Sequence, residues 1–539
     1  MTALLTDNLS LLAGAPNGIK KLRELILELA VRGKLVPQDP SDEPASELLN
    51  LLITEARDTT GRGKAKRQAL PEVCESEQPY ILPNGWAWGR LGDVTEILDS
   101  LRRPVTKQDR KPGPYPYYGA SGVVDYVSAY IFDEPLVLVG EDGAKWGVGE
   151  RTAFSITGKT WVNNHAHVLR PKRDAVCDDY LVISLTAQDL SQFITGMTVP
   201  KLNQARLTSI GIPLPPLAEQ HRIVAKVDEL MALCDRLEAQ QADAESAHAL
   251  LVQALLHSLT QAADAPAKGD PELAADAEDF AASWQRLAER FHTLFTTESS
   301  IDALKQTLLQ LAVMGKLVPQ DPNDEPASEL LQRIAVERLD REGSRRSKSQ
   351  VELREIDGSE KKFELPAGWE WVRLQQIVSV SSGDGLVSAK MNTEGSVPVY
   401  GGNGVTGRHD RQNVEKETLV IGRVGYYCGS IHLTPASAWV TDNALIVRFS
   451  ERNIDKSFLF WLLKGTNLKE QENATAQPVI SGRKIYPIVL AIPPLAEQRR
   501  IVAKLNQLMV LCDQLKTRLT QARRLNEQLA TALVEQAVA

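Results

Sequence analysis

Two stretches of this chain occur twice, and each repeat is nearly letter for letter. Residues 29–49 read LAVRGKLVPQDPSDEPASELL, and residues 311–331 read LAVMGKLVPQDPNDEPASELL. Residues 215–235 (PPLAEQHRIVAKVDELMALCD) match residues 493–513 (PPLAEQRRIVAKLNQLMVLCD) nearly as closely. We call the first pair the two copies of segment A and the second pair the two copies of segment B. The period of about 280 residues is far longer than a solenoid unit, so the chain repeats whole domains.

The order of these segments predicts a closed arrangement. Segment A, a stretch that differs between the copies, and segment B follow one another, and the series then repeats. We call the differing stretches, 81–212 and 363–490, the variable blocks. Because segment A comes first and segment B comes last, the two ends of the chain can meet, which predicts a circular arrangement with pseudo-two-fold symmetry. A chain of 539 residues is also too long for a single core.

The variable blocks share an outline but little detail. The first reads LPNGWAWGRL from Leu82 and YPYYGASGV from Tyr115, and the second reads LPAGWEWVRL from Leu365 and VPVYGGNGV from Val397. Both are rich in Val, Ile, Thr and aromatic residues punctuated by Gly, a pattern typical of short strands and turns. We predict an α+β fold with two globular domains, one in each variable block.

Segment B predicts a long helix in each copy. The first begins after a Pro-Pro pair and has no Gly or Pro from Leu217 to Ala263, and its apolar residues recur at spacings of three and four. A helix of about 40 residues spans on the order of 60 Å, longer than most domains are wide. Two such stripes in one chain predict an antiparallel coiled-coil spacer between the domains, and an ordinary amphipathic core helix is the simpler alternative.

The predicted plan therefore has three helical parts around the variable blocks. Residues 1–60 form an N-terminal frame segment, 213–345 a central spacer, and 491–539 a C-terminal helix that pairs with the spacer. Residues 262–280, acidic with two prolines, are expected to form a loop between helices. The charged stretches 61–68 and 341–362 are expected to be flexible, basic links into the two variable blocks.

Motifs for catalysis on DNA are missing from the sequence. Gly158, Lys159 and Thr160 would begin to match a phosphate-binding loop, but Ala153 stands where that loop needs a glycine. No N-P-P-Y or D-P-P-Y stretch is present to hold a flipped adenine, and no Gly-rich loop follows a strand to hold a methyl donor. A self-contained methyltransferase or nuclease is therefore disfavoured.

Signals for metal binding and membrane insertion are also weak. His165 and His167 would share one face of a strand, but no third ligand lies close in sequence, so hydrogen bonding is favoured over a metal site. Glu141 and Asp142 lack a nuclease pattern and are interpreted as surface charge. The five cysteines form no C-x-x-C pair, and no run of 18 apolar residues or leader pattern occurs. We expect no metal site and a cytoplasmic location.

Both variable blocks carry the residue types that read base edges. The net charge of −8 argues mildly against nucleic acid, but binding depends on local charge. Arg or Lys suits guanine, and Asn or Gln suits adenine. The candidate DNA-binding residues of the first block are Arg102, Arg103, Lys107, Arg110, Tyr118, Lys145, Asn163, Asn164, His165, Lys201, Asn203 and Gln204. Those of the second block are Tyr400, Asn403, Arg408, Arg411, Arg423, Tyr426, Thr441, Asn443, Arg483 and Lys484.

Among the first set, the cations between Arg102 and Lys111 have only Asp109 against them in sequence and are predicted to grip phosphate. The loops before each segment B, VPKLNQARL from Val199 and QPVISGRKI from Gln477, also carry cations next to a helix that would orient them. For any single residue in these sets, a solvated loop position is the alternative interpretation.

At GKLVPQDPSDEPASELL and PPLAEQHRIVAKVDELM the sequence resembles the specificity subunits of type I restriction-modification systems, in particular the type IB group. The resemblance covers nearly the whole chain, with both copies of each segment in the family's order, and the variable blocks match only in outline. It implies that each variable block is a target recognition domain that reads one half of an asymmetric, interrupted DNA sequence.

The resemblance also implies a division of labour among subunits. One specificity subunit joins two modification (methyltransferase) subunits and two restriction (motor-nuclease) subunits in phage defence, and it has no active site and no cofactor of its own. The partners use S-adenosylmethionine, ATP and magnesium. Two rival hypotheses remain open at this point: an enzyme with unrecognised motifs, and a coiled-coil scaffold whose variable blocks bind protein.

Overall fold

The computed structural model describes residues 9–59, 70–196, 198–264, 274–342, 355–468 and 479–538. The predicted link 61–68 lies outside the described residues, as does most of 341–362. The loop predicted over 262–280 is shorter than expected, because the chain is helical up to Asp264 and again from Ala274, and residues 265–273 lie outside the described residues. Contacts group the described chain into two compact units. Unit 1 takes in the residues up to Ala244 and those from Ala522 onward, and unit 2 runs from Glu245 to Gln521. The predicted α+β class with two domains is confirmed.

Each of two long helices belongs partly to unit 1 and partly to unit 2. Leu217–Asp264 begins in unit 1 and ends in unit 2, and Leu495–Val538 begins in unit 2 and ends in unit 1. Both start directly after the Pro-Pro pair of segment B, because proline lacks the N–H that a helix interior needs. The first ends within a residue of the predicted limit at Ala263. No helix in the described part of the chain is long and apolar enough to span a membrane.

The helical part of unit 1 brings Gly18–Val31, near the start of the described chain, against the end of the long helix Leu495–Val538. Lys21 Nζ donates to Thr531 Oγ1 at 2.5 Å. Leu25 and Leu29 are buried against Ala537 in a small apolar cluster. The predicted meeting of the two chain ends is confirmed. Besides the two long helices, the helices before and after the first segment A are Leu9–Gly14, Gly18–Val31 and Ala45–Thr59.

Unit 2 builds the same packing from the second copy. Leu304 and Leu308 share one core with Val252 and Leu256 from the end of the first long helix and with Ile501 from the start of the second. The stripe predicted for the second long helix continues this core at Leu505 and Cys512, both buried. The other helices here are Ala274–Glu289, Phe291–Leu294, Glu298–Val313 and Ala327–Glu342.

Buried hydrogen bonds explain why segments A and B are nearly unchanged between the copies. In unit 1, Glu219 is buried and accepts from Trp86 Nε1 at 3.0 Å and from Gln38 Nε2 at 3.2 Å. In unit 2, Glu497 accepts from Trp369 Nε1 and Gln320 Nε2 at the same two distances. A buried donor without its acceptor costs about 1–3 kcal/mol, so these residue types are constrained in both copies. Burial raises the pKa of both carboxyls.

Gly33 shows how closely segment A fits its variable block. Its φ is +65°, in the left-handed region, and a side chain at this position would lie 2.5 Å from Pro83 Cγ. Gly315 repeats both features in unit 2, with φ +73° and 2.6 Å to Pro366 Cγ. Only glycine satisfies both conditions, since other residues pay for positive φ as well as for the clash.

Each variable block is closed at its base by the pairing of its first and last strands. In the first block Ala87–Arg90 pairs antiparallel with Gly211–Leu214, and in the second Glu370–Arg373 pairs antiparallel with Val489–Ile492. Arg90 lies at this junction, is buried, and donates to the carbonyls of Ser209 at 2.7 Å and Pro71 at 3.0 Å. This arginine therefore fixes the entry of the chain into the block.

Two further sheets form the body of the first block. A four-stranded antiparallel sheet has the spatial order Thr95–Ile97, Ala166–Pro171, Leu136–Gly140 and Ala153–Ile156. The second sheet has the order Gly122–Val127, Tyr115–Gly119, Lys159–Val162 and Phe132–Asp133. Lys159 and Thr160 thus lie in a strand, where they form no phosphate-binding loop. The helices of this block are Leu91–Val94, Asp178–Thr186 and Gln204–Thr208.

The second block repeats this topology with one pairing shortened. Its four-stranded sheet has the order Val378–Ser382, Ala444–Phe449, Leu419–Gly422 and Ile431–Leu433. Its other sheet has three strands in the order Gly404–His409, Val397–Gly401 and Trp439–Val440. An isolated bridge between Val414 and Ala438 stands near the place of the fourth strand. The helices are Leu374–Ile377, Lys456–Gly465 and Gly482–Ile485.

Candidate nucleic-acid interface

In each variable block, one residue at the end of a buried strand joins two loops that were predicted to read DNA. In the first block this strand-end residue is Glu141, which follows Leu136–Gly140. Its N–H donates to the carbonyl of His165 at 2.8 Å, and its carbonyl accepts from the N–H of Leu202 at 2.8 Å. The turn at His165 and the loop before Leu202 are therefore held side by side, although nearly 40 residues separate them along the chain.

The side chains around Glu141 form a charged network. Glu141 is only 7% exposed, and its carboxylate pairs with Arg102 and with Lys201 Nζ at 2.8 Å. The hydrogen bond from Lys201 to Glu141 raises the pKa of this ammonium. Asp99 lies 3.3 Å from Arg102 Nη2 and 2.5 Å from Nδ1 of the buried His167. The network neutralises the cations that it contains.

The second block has the same backbone bonds with the opposite charge at their centre. Its strand-end residue is Arg423, which follows Leu419–Gly422. The Arg423 N–H donates to the carbonyl of Asn443 at 2.9 Å, and the Arg423 carbonyl accepts from Ile480 N–H at 2.9 Å. A bridge between Val424 and Val479 repeats the one between Asp142 and Lys201. A carboxylate in one block and a guanidinium in the other thus occupy one structural position.

The loops that follow the two strand-end residues differ in shape and chemistry. In the second block, Tyr426 and Tyr427 are 79% and 50% exposed, with ring centroids 5.0 Å apart. The buried Cys428 anchors the tight turn below them, where Cys428 N–H donates to Gly425 O at 2.9 Å. In the first block the loop is longer, and Trp146 is tied back through Nε1 to Gly140 O at 3.2 Å.

Several predicted residues of the first block are committed to the fold. Arg102 pairs with Glu141 and Asp99, and Arg110 stacks on Tyr117 and pairs with Asp125 at 3.0 Å. Two arginines of the predicted phosphate grip from Arg102 to Lys111 are therefore already neutralised by carboxylates of the same block. The remaining cations of that stretch, Arg103, Lys107 and Lys111, are exposed.

Some of the other residues predicted in the first block bond or pack within the fold, and others are exposed. Asn163 is buried, and its Oδ1 accepts from His165 N–H at 2.8 Å. Asn203 caps the helix Gln204–Thr208 by accepting from Arg206 N–H at 2.9 Å. Tyr118 packs against Phe154, and burial raises the pKa of its phenol. The structure leaves these exposed at the surface: Lys145, Asn164, His165 and Gln204.

In the second block, Tyr400 and Thr441 are buried, so their side chains lie in the core and not on the surface where base edges could be reached. Lys484 Nζ donates to Val479 O at 2.9 Å. Arg423 is partly exposed. The exposed candidates are Asn403, Arg408, Arg411, Tyr426, Asn443 and Arg483.

The residues missed by sequence reasoning are mainly those that support the loops. The interpretation of Glu141 as surface charge was wrong, since it is buried and central to its network. Three residues near Arg423 were also not predicted: Tyr427, Ser382 and Asp442. The change from Gly-Glu to Gly-Arg after equivalent apolar strands was visible in the sequence and could have marked this position.

The two histidines of the first block have separate hydrogen-bond partners. His165 Nδ1 contacts Asp142, and His167 Nε2 lies 2.7 Å from Leu202 O. Within the described ranges, no group of three or more His, Cys, Asp or Glu side chains is arranged to hold a metal ion.

Comparison with known proteins gives a consistent result along the whole chain. The family model described as "Type I restriction modification DNA specificity domain" matches residues 83–245 and 366–522. The specificity subunit of the type I restriction enzyme EcoAI from Escherichia coli is 34% identical over 97% of this chain and 94% of its own length. The EcoEI specificity subunit from the same species is 33% identical over the same shares.

Among solved structures, the HsdS subunit of Thermoanaerobacter tengcongensis covers 85% of this chain and 98% of its own, at 19% identity and a TM-score of 0.40. The family of the chain is established by its full-length sequence relatives and by the two matches of the family model. These two matches fall on the variable blocks and on the start of each long helix. This chain belongs to the family of type I restriction enzyme specificity subunits.

Proposed function

We propose that the chain binds a bipartite, asymmetric duplex DNA target, with each variable block reading one half. It docks two modification (methyltransferase) subunits and the restriction (motor-nuclease) subunits of a type I enzyme, and it catalyses no reaction itself. S-adenosylmethionine, ATP and magnesium are used by the partner subunits. The chain would act in the cytoplasm, where phage DNA enters.

The single observation that carries this proposal is the exchange of Glu141 for Arg423 within otherwise matched backbone bonds. Two copies of one scaffold hold their loops in the same way but present opposite charge and different neighbours. Base pairs are distinguished by the pattern of donors and acceptors at their edges. A protein that reads an asymmetric target needs different side chains at equivalent positions of its two similar domains.

The exposed cations support contact with phosphate despite the net negative charge of the chain. Arg103, Lys107 and Lys111 in the first block and Arg408 and Arg411 in the second are exposed. Phosphate contacts position a protein on duplex DNA and make its affinity depend on salt concentration. We expect affinity to fall steeply as salt rises from about 50 to 200 mM.

The long helices support docking of two like partners. Leu251 and Leu529 each lie 36 residues after the first proline of segment B, and they are 51% and 52% exposed. Apolar side chains at matched, exposed helical positions are typical of protein interfaces when they form part of larger patches. Two equivalent surfaces suit two copies of one modification subunit.

A DNA-binding measurement on the assembled methyltransferase tests the proposal. The chain is purified with its modification subunits, methylated adenines are mapped in cells, and a duplex carrying the mapped site is compared with a scrambled duplex in a mobility shift. We expect preference for the mapped duplex of at least about 1,000-fold at physiological salt. Equal binding of both duplexes, or binding of protein partners only, would contradict it. Methyl transfer by the isolated chain would refute the non-catalytic role.

A further inference from the structure

We propose that Arg423 reads a guanine through the major groove in the half-site contacted by the second variable block. This inference rests on the DNA-binding function proposed above and names one specificity-determining residue for it. Guanine presents two acceptors, O6 and N7, on its major-groove edge, and a guanidinium donates to both at once.

Arg423 is held in place from both sides of its backbone. Its N–H and carbonyl are bonded to Asn443 and Ile480, as described above. Its side chain is anchored through one nitrogen only, since Nη1 donates to Asp442 O at 3.2 Å and approaches Ser382 Oγ at 3.4 Å. Among the described residues, the edge formed by Nε and Nη2 has no hydrogen-bond or ion-pair partner. A guanidinium with one end fixed and the other edge open is suited to a bidentate contact.

Its charge also distinguishes Arg423 from other cations predicted to read DNA. Arg102, Arg110 and Lys201 are each paired with a carboxylate inside the first block. Both contacts of the Arg423 guanidinium are neutral oxygens, so its charge remains available to a ligand.

The surface beside Arg423 suits a duplex. Tyr426 and Tyr427 expose two rings on the loop that starts at Arg423, and aromatic groups can pack against thymine methyl groups and sugars. Asn443 is exposed on the neighbouring turn, where its amide could donate to and accept from adenine. Glu141 at the equivalent position of the first block is buried and acts as a positioning residue, so the guanine contact is assigned to the second half-site alone.

The test uses the methyltransferase complex with Arg423→Ala in the specificity chain. Methylated adenines first define the wild-type target, and binding is then measured by competition against duplexes with each target base pair replaced in turn. We expect the variant to lose about 5- to 150-fold of its discrimination at one G·C pair in one half-site and to keep it elsewhere. Arg423→Lys keeps a cation that can donate to guanine but lacks the planar fork, so it should retain more discrimination at that pair than Arg423→Ala.

Controls separate this inference from the function on which it rests. Arg452→Ala, a change of an exposed arginine in the same block, should leave every base preference unchanged. If the wild-type complex selects no bipartite target, the proposed function fails. If the wild-type selects one and both Arg423 variants select it equally well, only this inference fails. A uniform loss of affinity for all duplexes would assign Arg423 to phosphate or to folding and would also overturn it.

Discussion

The two variable blocks are alike where they meet segments A and B and unlike at the ends of their buried strands. Trp86, Gln38 and Glu219 in one unit are matched atom for atom by Trp369, Gln320 and Glu497 in the other. At the strand ends, unit 1 has a buried glutamate at the position where unit 2 has an arginine with an open edge. Buried hydrogen bonds fix residue identity, whereas backbone hydrogen bonds fix position and leave the side chain free to change.

The largest effect should come from disrupting the paired first and last strands of a variable block, which both blocks have. Arg90→Ala leaves several carbonyl oxygens of unit 1 without their donor, among them those of Pro71 and Ser209. Arg373→Ala has the same consequence in unit 2, where Pro487 O loses its donor. We expect each variant to lower the free energy of unfolding of its own unit by about 3 kcal/mol.

Hydrogen exchange read by mass spectrometry would locate these losses. The matched control Arg452→Ala should change stability by less than about 0.5 kcal/mol, because this side chain is exposed. If the losses of the Arg90 and Arg373 variants differed by more than about 2 kcal/mol, the paired first and last strands of the two blocks would not be equivalent. A difference of that size exceeds the usual scatter among mutations of one type.

An intermediate and asymmetric effect is expected at the strand ends. Glu141→Ala removes the carboxylate shared by Arg102 and Lys201, and Asp99 then remains as the partner of the mostly buried Arg102. We expect a loss of about 2 kcal/mol in unit 1. Arg423→Ala removes only two weak contacts and should cost less than about 0.5 kcal/mol in unit 2. Chemical denaturation of the two variants, followed separately in each unit, would measure the contrast, and equal losses would contradict the different roles assigned to the two residues.

The smallest effect concerns acid stability. The hydrogen bond from Arg90 lowers the pKa of Glu77 from 4.5 to about 2. Because the pKa is lower in the folded state, this carboxylate stabilises unit 1 above pH 4.5, and its contribution is lost as the pH falls toward 2. Glu77 is 44% exposed, so the contribution should be below about 1 kcal/mol.

Glu77→Gln should therefore reduce the fall in the free energy of unfolding between pH 4.5 and pH 2. Near pH 7 it should lower that free energy by a small amount that does not depend on pH. Unfolding by denaturant at a series of pH values would show this. An unchanged acid limb in the variant would mean that the Arg90 contact contributes nothing to the pH dependence.

Most of the frame could be predicted because it repeats. Two nearly identical copies of segments A and B reveal the number of units, and the Pro-Pro pairs mark the starts of the long helices. Apolar residues such as Ile223 and Cys234 recur at helical spacing and are buried as expected. The pairing of the first and last strands of each block depends on contacts between distant residues, which no local pattern reveals.

The candidate interface could be predicted only in outline. Residue types suitable for reading bases occur in the right loops, but their exposure depends on tertiary partners. Asn163 and Thr441 are buried, and Arg102 is neutralised by Glu141, nearly 40 residues further along the chain. Sequence spacing predicts which residues are neighbours along a strand and cannot predict which carboxylate will meet which cation across two sheets.

The central claim, that each variable block reads one half of the target independently, is tested most directly by a duplication. Residues 363–490 are replaced by a second copy of 81–212, and methylated adenines are mapped in cells that carry the modification subunits. We expect a target that contains the first half-site twice, with the original gap. A target that retains the second half-site, or whose two halves both change to new sequences, would contradict it.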